Sequence, residues 1–315
     1  MTTTTDRDAF EAHVRRHTRE LRVHCYRMTG SLEESEDLVQ ETFLRAWRKR
    51  EQFEGRSSLR AWLYRIATNA CLDALDKRPR VPTADGEVLW LQPYPDSLLA
   101  ELPSGEEGPE DAVVAKETIE LTFITAIQHL APLPRAVLVL RDVLDLSARE
   151  TAEVLDTTVA SVNSALQRAR AGLREHRPEP RAQWRADQEP SAAQRELLAL
   201  YVEASERTDS QALIALMHED LRFSMPPQPG VWQGREAVVQ GWIDGGFGAE
   251  TFGSLRCVIT QANGQPAVAA YVRTPGSDTH RPLALDVLRI EEGLVREIVT
   301  FDGRLLEHFD LPATL

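Results

Sequence analysis

The stretch from Ser147 to Arg170 limits the fold more than any other, because its residues spell helix, tight turn, helix, with one polar outer stripe. Ser147 and Glu150 form an S-x-x-E capping box that opens a short helix, and Leu155-Asp156-Thr157 supplies a turn with Thr157 as the N-cap of a second. On that second helix Val159, Val162, Leu166 and Ala169 recur at steps of three and four, the signature of one apolar face. At about 100° per residue, Thr157, Ser161, Ser164 and Arg168 fall opposite, a row of hydrogen-bonding side chains with no apolar member. Base edges in a major groove are read by side chains of this kind. A solvated helix hairpin gives the same pattern and stands as the alternative.

At 315 residues and 42% hydrophobic content the chain can build two or three domains with real cores. No run approaches a membrane-spanning length, and Met1-Thr2-Thr3-Thr4-Thr5-Asp6 lacks a charged-then-apolar signal layout. Cys25, Cys71 and Cys257 form no C-x-x-C pair, which argues against a disulfide framework or zinc knuckle and for a reducing cytoplasm. The formal net charge of −13 looks wrong for a nucleic-acid binder until it is resolved by segment. Residues 41–80 carry ten Lys/Arg against five Asp/Glu, and residues 81–120 one Lys against ten acidic residues. The basic charge is local, and local charge is what meets phosphate.

Four segments follow from the texture of the chain. Residues 8–78 read as a helical block in which Gly30-Ser31 ends one helix and starts the next, with Ser31 and Glu34 as a second capping box. Residues 79–109 hold six prolines among acidic residues, a linker, although Trp90-Leu91-Gln92-Pro93-Tyr94-Pro95 is too apolar for an idle spacer. Residues 110–178 form a second helical block, closed by Pro178-Glu179-Pro180. From 190 to 315 the grammar changes to two helices followed by strands, with hairpin signals at Asn263-Gly264 and Glu292-Gly293. That order implies an α+β domain with a cavity between helices and a curved sheet.

Two motifs then point to a family. The run Glu36-Asp37-Leu38-Val39-Gln40-Glu41-Thr42-Phe43-Leu44-Arg45-Ala46-Trp47, followed by Phe53-Glu54-Gly55-Arg56-Ser57-Ser58-Leu59-Arg60-Ala61-Trp62-Leu63-Tyr64-Arg65-Ile66-Ala67-Thr68-Asn69, resembles region 2 of extracytoplasmic-function sigma factors. The helix-turn-helix resembles region 4 of the same group, so the resemblance covers about residues 8–177. It implies a promoter-specificity subunit that binds bacterial core RNA polymerase and promoter DNA. It places Asp37, Gln40, Glu41, Phe43 and Trp47 against the polymerase, and Arg56, Ser57, Ser58, Arg60, Trp62, Arg65 and Asn69 at the opened minus-ten strand. In the second block it implies DNA contacts from Thr157, Thr158, Ser161, Asn163, Ser164, Arg168 and Arg170. Cations interleaved with aromatic rings suit a melted strand on physical grounds, while Phe43, Trp47, Trp62 and Ile66 also fit a helical core. The chain departs from the family at Pro132-Leu133-Pro134-Arg135, where a basic-glutamine-basic entry is usual, and at Asp156, where glycine is common.

The C-terminal block resembles the SnoaL-like, NTF2-type cone, whose free-standing relatives include polyketide cyclases with an acid/base aspartate. Asp286 alternates with Ala284, Leu288 and Ile290 and would face such a cavity near Phe223, Trp232 and Tyr271, a candidate ligand pocket. No nucleophile motif or His–Asp spacing accompanies Asp286, so a rim position is the plainer expectation and the chain is read as a non-enzyme without cofactor. His13 and His17, at i and i+4, with His24 further on, lack the carboxylates or thiols that would complete a metal site. The expected fold is multidomain, two all-α domains followed by an α+β cone. The expected function is transcription initiation with the cone regulating in cis. A ligand-responsive helix-turn-helix regulator and a cyclase-like enzyme are the rivals.

Overall fold

The computed structural model describes residues 14–53, 58–78, 88, 90–100, 119–176 and 191–315. His13, Arg56, Ser57, the acidic stretch 101–118 and the closing Pro178-Glu179-Pro180 lie outside the described residues. The described residues fall into two compact units, one built from 14–53, 58–78, 98–100 and 119–176 and the other from 88, 90–97 and 191–315.

The first unit begins with α1 (Thr18–Thr29), α2 (Leu32–Lys49) and α3 (Leu59–Lys77). Gly30 ends α1 at φ 71°, and its N–H returns to the Tyr26 carbonyl, the left-handed stop that glycine takes at least cost. Ser31 then caps α2 by accepting from the Glu34 N–H at 3.2 Å, while the Glu34 carboxylate pairs with Arg78. Leu21, Tyr26, Met28, Leu32, Leu63 and Ala67 close the core between these helices. The same core brings Cys25 and Cys71 together although 46 positions separate them in sequence; the hydrogen bond to Cys25, and then burial, push the Cys71 thiol well above its usual range.

In the same unit follow α4 (Leu121–Gln128), α5 (Pro132–Leu138), α6 (Ala148–Val154) and α7 (Val159–His176). Pro132 sits in the first turn of α5, where its missing N–H has no intrahelical partner to lose. The Pro132-Leu133-Pro134-Arg135 departure therefore continues the helical fold. Arg135 is buried at 3% exposure and caps carbonyls: it donates to Gln128 O at 2.8 Å, Leu130 O at 3.0 Å, Gln128 Oε1 at 2.6 Å, and Met28 O. Burial lowers its pKa to about 9, with Arg78 adding to the effect. Gly172 lets α7 close on the end of α4, since a Cβ there would stand 2.8 Å from Leu130 Cδ2.

The second unit opens with α8 (Ala192–Glu206) and α9 (Ser210–Ala215), then β1 (Met217–Met225), β2 (Gln228–Gln233), α10 (Arg235–Asp244), β3 (Ser254–Ala262), β4 (Gln265–Arg273), β5 (Arg281–Glu291) and β6 (Leu294–Asp302). The six strands run in the order β2-β1-β6-β5-β4-β3, antiparallel throughout except for the parallel pair β1 and β6. Both expected hairpins form on two-residue turns with positive φ: Asn263 at 58° and Gly264 at 70°, Glu292 at 50° and Gly293 at 77°. Leu198, Tyr201, Leu213, Leu221, Val268 and Ile298 pack the helices onto one face of the sheet.

The apolar linker segment belongs to this unit. Leu91 and Tyr94 are buried, the Tyr94 N–H donates to Asn263 Oδ1 at 2.7 Å, the Asn263 N–H donates to Tyr94 O at 2.8 Å, and the Gly264 N–H donates to Asp96 Oδ1 at 2.8 Å. Pro95 bridges Ala262 across the same turn.

Candidate nucleic-acid interface and cavity

The helix-turn-helix forms as α6, a turn and α7. The Ser147–Glu150 capping box is complete in both directions, N–H to side chain and back. Asp156 takes φ 49° in the turn, the left-handed conformation that glycine adopts at least cost and that aspartate tolerates. Two details differ from the expectation. The N-cap of α7 is Thr158, whose Oγ1 accepts from the Ser161 N–H at 3.1 Å, one residue beyond Thr157. Val159 is 43% exposed, because the first turn of α7 projects past the core that Val162, Ala165, Leu166 and Ala169 bury.

Ser164 and Arg168 are exposed and linked, Arg168 Nη1 donating to Ser164 Oγ at 2.8 Å, with partly buried Ser161 on the same stripe. Asn163 and Arg170 stand on the far side of α7, roughly 180–200° from Ser161 by helical geometry. Arg170 is held there by Asp142, which accepts from Nε at 2.9 Å and from Nη2 at 2.7 Å. The seven residues expected at DNA therefore divide between one row of α7 and its opposite side, where Asn163 is exposed and Arg170 is paired with Asp142.

On α2, Asp37, Gln40 and Leu44 are exposed with half-buried Glu41, Phe43 and Trp47 beside them. The 50% exposure of Leu44 adds an apolar side chain to this stripe that sequence reasoning did not select. Arg50 stacks over the Trp47 ring, 4.1 Å from its centroid. On α3, Ser58, Trp62, Arg65 and Asn69 share one face at steps of three and four, and Trp62 packs on Phe53 with ring centroids 5.1 Å apart. Arg60 faces elsewhere: its Nε donates to Glu20 Oε2 at 2.6 Å, and its guanidinium lies 5.2 Å from the Tyr64 ring centroid. Ser58 is also the N-cap of α3, accepting from the Ala61 N–H at 3.2 Å.

His24 is a core residue. Its Nε2 lies 2.9 Å from Thr68 Oγ1, its ring meets Tyr64 edge-on at 5.1 Å, and burial, with the Arg27 charge, lowers its pKa to about 3. Among the described residues, no group of three or more His, Cys, Asp or Glu could hold a metal ion, and no helix is long and apolar enough to cross a membrane.

In the sheet unit a cavity of about 550 Å³ lies between the helices and the concave face of the sheet. Asp286 lines it, with Phe223 and Trp232, so this carboxyl is a cavity group and not a rim group. Thr300 Oγ1 donates to Asp286 Oδ1 at 2.6 Å and the Tyr201 hydroxyl donates to Oδ2 at 3.1 Å. Burial raises the Asp286 pKa, opposed by those two hydrogen bonds. Burial and the neighbouring Asp286 also hold the Tyr201 hydroxyl well above its ordinary range and push the Cys257 thiol up to about 12. Tyr271, expected in the pocket, is on the other face. Val268 and Ala270 of β4 face the cavity, so Tyr271 points away by strand alternation and donates to the Pro312 carbonyl at 2.8 Å. Tyr201, whose hydroxyl completes the Asp286 site, was not selected, since 85 residues separate the two.

Comparison with known proteins agrees with this architecture. The Sigma-70 region 2 family model matches residues 13–81, Sigma-70, region 4 matches 121–173, and the SnoaL-like domain model matches 198–298. An extracytoplasmic-function (ECF) RNA polymerase sigma factor, SigG, of Mycobacterium tuberculosis is 42% identical over 326 aligned residues, covering 98% of this chain and 85% of that protein. SigW of Bacillus subtilis is 34% identical over 169 residues, 54% of this chain and 89% of that one. The crystal structure of the Mycobacterium tuberculosis sigma factor SigJ superposes with a TM-score of 0.59 at 22% identity, covering 97% of this chain and 99% of that one, a likeness of fold. With two sigma-70 regions in order and a SnoaL-like domain behind them, the chain belongs to the extracytoplasmic-function sigma factors.

Proposed function

We propose that the protein initiates transcription by binding bacterial core RNA polymerase through the α2 stripe, reading an upstream promoter element with α7, and holding the opened minus-ten strand along α3. The observation that carries this reading is the outward row Thr158, Ser161, Ser164 and Arg168 on the second helix of a capped helix-turn-helix. Hydroxyls and a guanidinium in a row match the donors and acceptors of base edges, whereas Arg65 and Asn69 beside Trp62 offer a cation, an amide and a ring to an unpaired strand. Exposed Asp37 and Gln40 around half-buried Trp47 make a polar rim about an aromatic anchor, the usual make-up of a protein interface. The sites thus act where core polymerase and promoter meet, in the cytoplasm.

The SnoaL-like unit acts in cis as a binding and regulatory domain, without turnover. Support comes from the segment 90–96, which lies between the region 2 and region 4 matches and is hydrogen-bonded to the β3–β4 turn. A change at that turn would alter how far the chain between the two regions can extend. In vitro transcription with purified core polymerase and a promoter library tests both parts. Full-length chain should give transcripts from one promoter class with no other sigma present. DNA binding without transcription would instead identify a ligand-responsive helix-turn-helix regulator. The Asn263→Gly chain should change transcript yield at equal protein level, and identical yield would make the C-terminal unit a passive appendage.

A further inference from the structure

The cavity of the sheet unit has a composition that selects a ligand chemistry. Five aromatic side chains run along it in ring contact: Phe223 with Trp232 at 5.6 Å and with Trp242 at 5.5 Å, Trp242 with Phe247 at 6.3 Å, and Phe247 with Phe252 at 5.9 Å. Among the lining residues there is no Lys, Arg or His. Two carboxyls are present, and Asp302 already has its cation, with Arg304 Nε at 3.1 Å from Oδ1. Among the described residues Asp286 has two hydroxyl donors and no cation, which leaves about half of a carboxylate's acceptor capacity open.

We propose that this cavity is a receptor site for an apolar, ring-bearing amine whose ammonium pairs with Asp286 and whose rings stack among Phe223, Trp232 and Trp242. The proposal rests on the reading of the SnoaL-like unit as a binding domain. A buried carboxylate without a cation is costly, and an ammonium removes that cost while gaining the faces of the surrounding rings. A hydrocarbon would leave the open acceptor positions of Asp286 unsatisfied, and a carboxylic acid would bring a second negative charge against it. A neutral alcohol could donate one hydrogen bond but leaves the charge without its counterion. Thr300 and Tyr201 fix the carboxylate, so the anchor point is set before the ligand arrives.

Calorimetric titration of the full chain with naphthylethylamine, naphthylethanol and naphthylacetic acid compares one ring system with three head groups. The amine should bind tighter than the alcohol by roughly tenfold or more, and the acid should bind most weakly. Asp286→Asn should abolish the preference for the amine and leave alcohol binding nearly unchanged. Should that variant fail to fold, the pH dependence of the parent decides. The groups around Asp286 are Tyr201 of α8, Cys257 of β3 with Glu206 bonded to its N–H, Thr300 of β6, and the Asp302–Arg304 pair at the rim. The thiol and phenol stay neutral, held above their ordinary ranges. On lowering pH through the raised range of Asp286, amine affinity should fall while alcohol affinity holds. Equal binding of amine and alcohol, a preference that survives Asp286→Asn, or parallel pH profiles would overturn the amine assignment while the cavity remains a binding site. Failure of all three probes to bind folded protein would overturn the binding-domain reading itself.

Discussion

The Tyr94 N–H and the Asn263 side chain meet at 2.7 Å across 169 positions of sequence, and the Asn263 N–H answers to the Tyr94 carbonyl at 2.8 Å. One asparagine thereby holds a linker strand as a β-ladder would, while its left-handed backbone makes the hairpin turn at φ 58°. Asn263→Gly keeps the turn and deletes the side-chain acceptor. The loss of one buried hydrogen bond, about 1–3 kcal/mol, should speed amide exchange at Tyr94 by about 5- to 150-fold. Hydrogen exchange followed by mass spectrometry reads this directly, and unchanged protection would mean that burial of Leu91 and Tyr94 alone holds the segment.

On α7 the two arginines should separate. Arg168→Ala and Ser164→Ala should each cost about 1–3 kcal/mol at the upstream element and relax its sequence preference. Arg170→Ala removes a half-exposed ion pair with Asp142, worth about 0.2–1 kcal/mol of stability, and should leave base preference intact. Binding selections with randomised promoter DNA compare the three, and a changed preference for Arg170→Ala alone would reverse the orientation assigned to the helix.

Trp47→Ala, in folded protein, should weaken core polymerase binding by about 2 kcal/mol or more, and Asp37→Ala by less. Leu44→Asp tests the apolar neighbour on the same stripe. Fluorescence anisotropy with labelled chain gives the affinities; full affinity in both Trp47→Ala and Leu44→Asp would move the polymerase contact to another surface.

The core around His24 sets an acid limit. This imidazole is neutral in the fold, its pKa lowered from 6.5 to about 3, so its contribution is complete above about pH 6.5 and is lost as the pH falls toward about 3. The slope should approach about 1.4 kcal/mol per pH unit across that window. Urea unfolding of the helical unit between these limits should show it, and His24→Phe should flatten the slope. A parent and a variant with the same slope would assign the acid sensitivity to other groups.

Local signals in the sequence carried the capping box at Ser147, the glycine stop at Gly30 and both two-residue hairpins, because each depends on neighbours within four positions. The outward row of α7 was legible for the same reason. Partners distant in the chain were not. Tyr201 could not be joined to Asp286, nor Cys25 to Cys71, since no spacing rule relates a helix to a strand or to another helix far along the chain. Tyr271, expected near Asp286 in the pocket, is turned away by strand alternation against Val268 and Ala270. Arg135, noted in the sequence only as part of a departure from the family pattern, is buried among carbonyls that only the folded unit assembles.

The position of Arg135 also governs how the helical unit can come apart. One guanidinium serves carbonyls of Gln128 and Leu130 on one side and of Met28 on the other, so a single side chain joins the two portions. Moving α1 away from α4 would take the Met28 carbonyl from Arg135, while the guanidinium kept Gln128 and Leu130. The contact between the region 2 and region 4 portions therefore depends on one buried side chain of region 4 reaching a helix-end carbonyl of region 2, so a change at position 135 is felt in both.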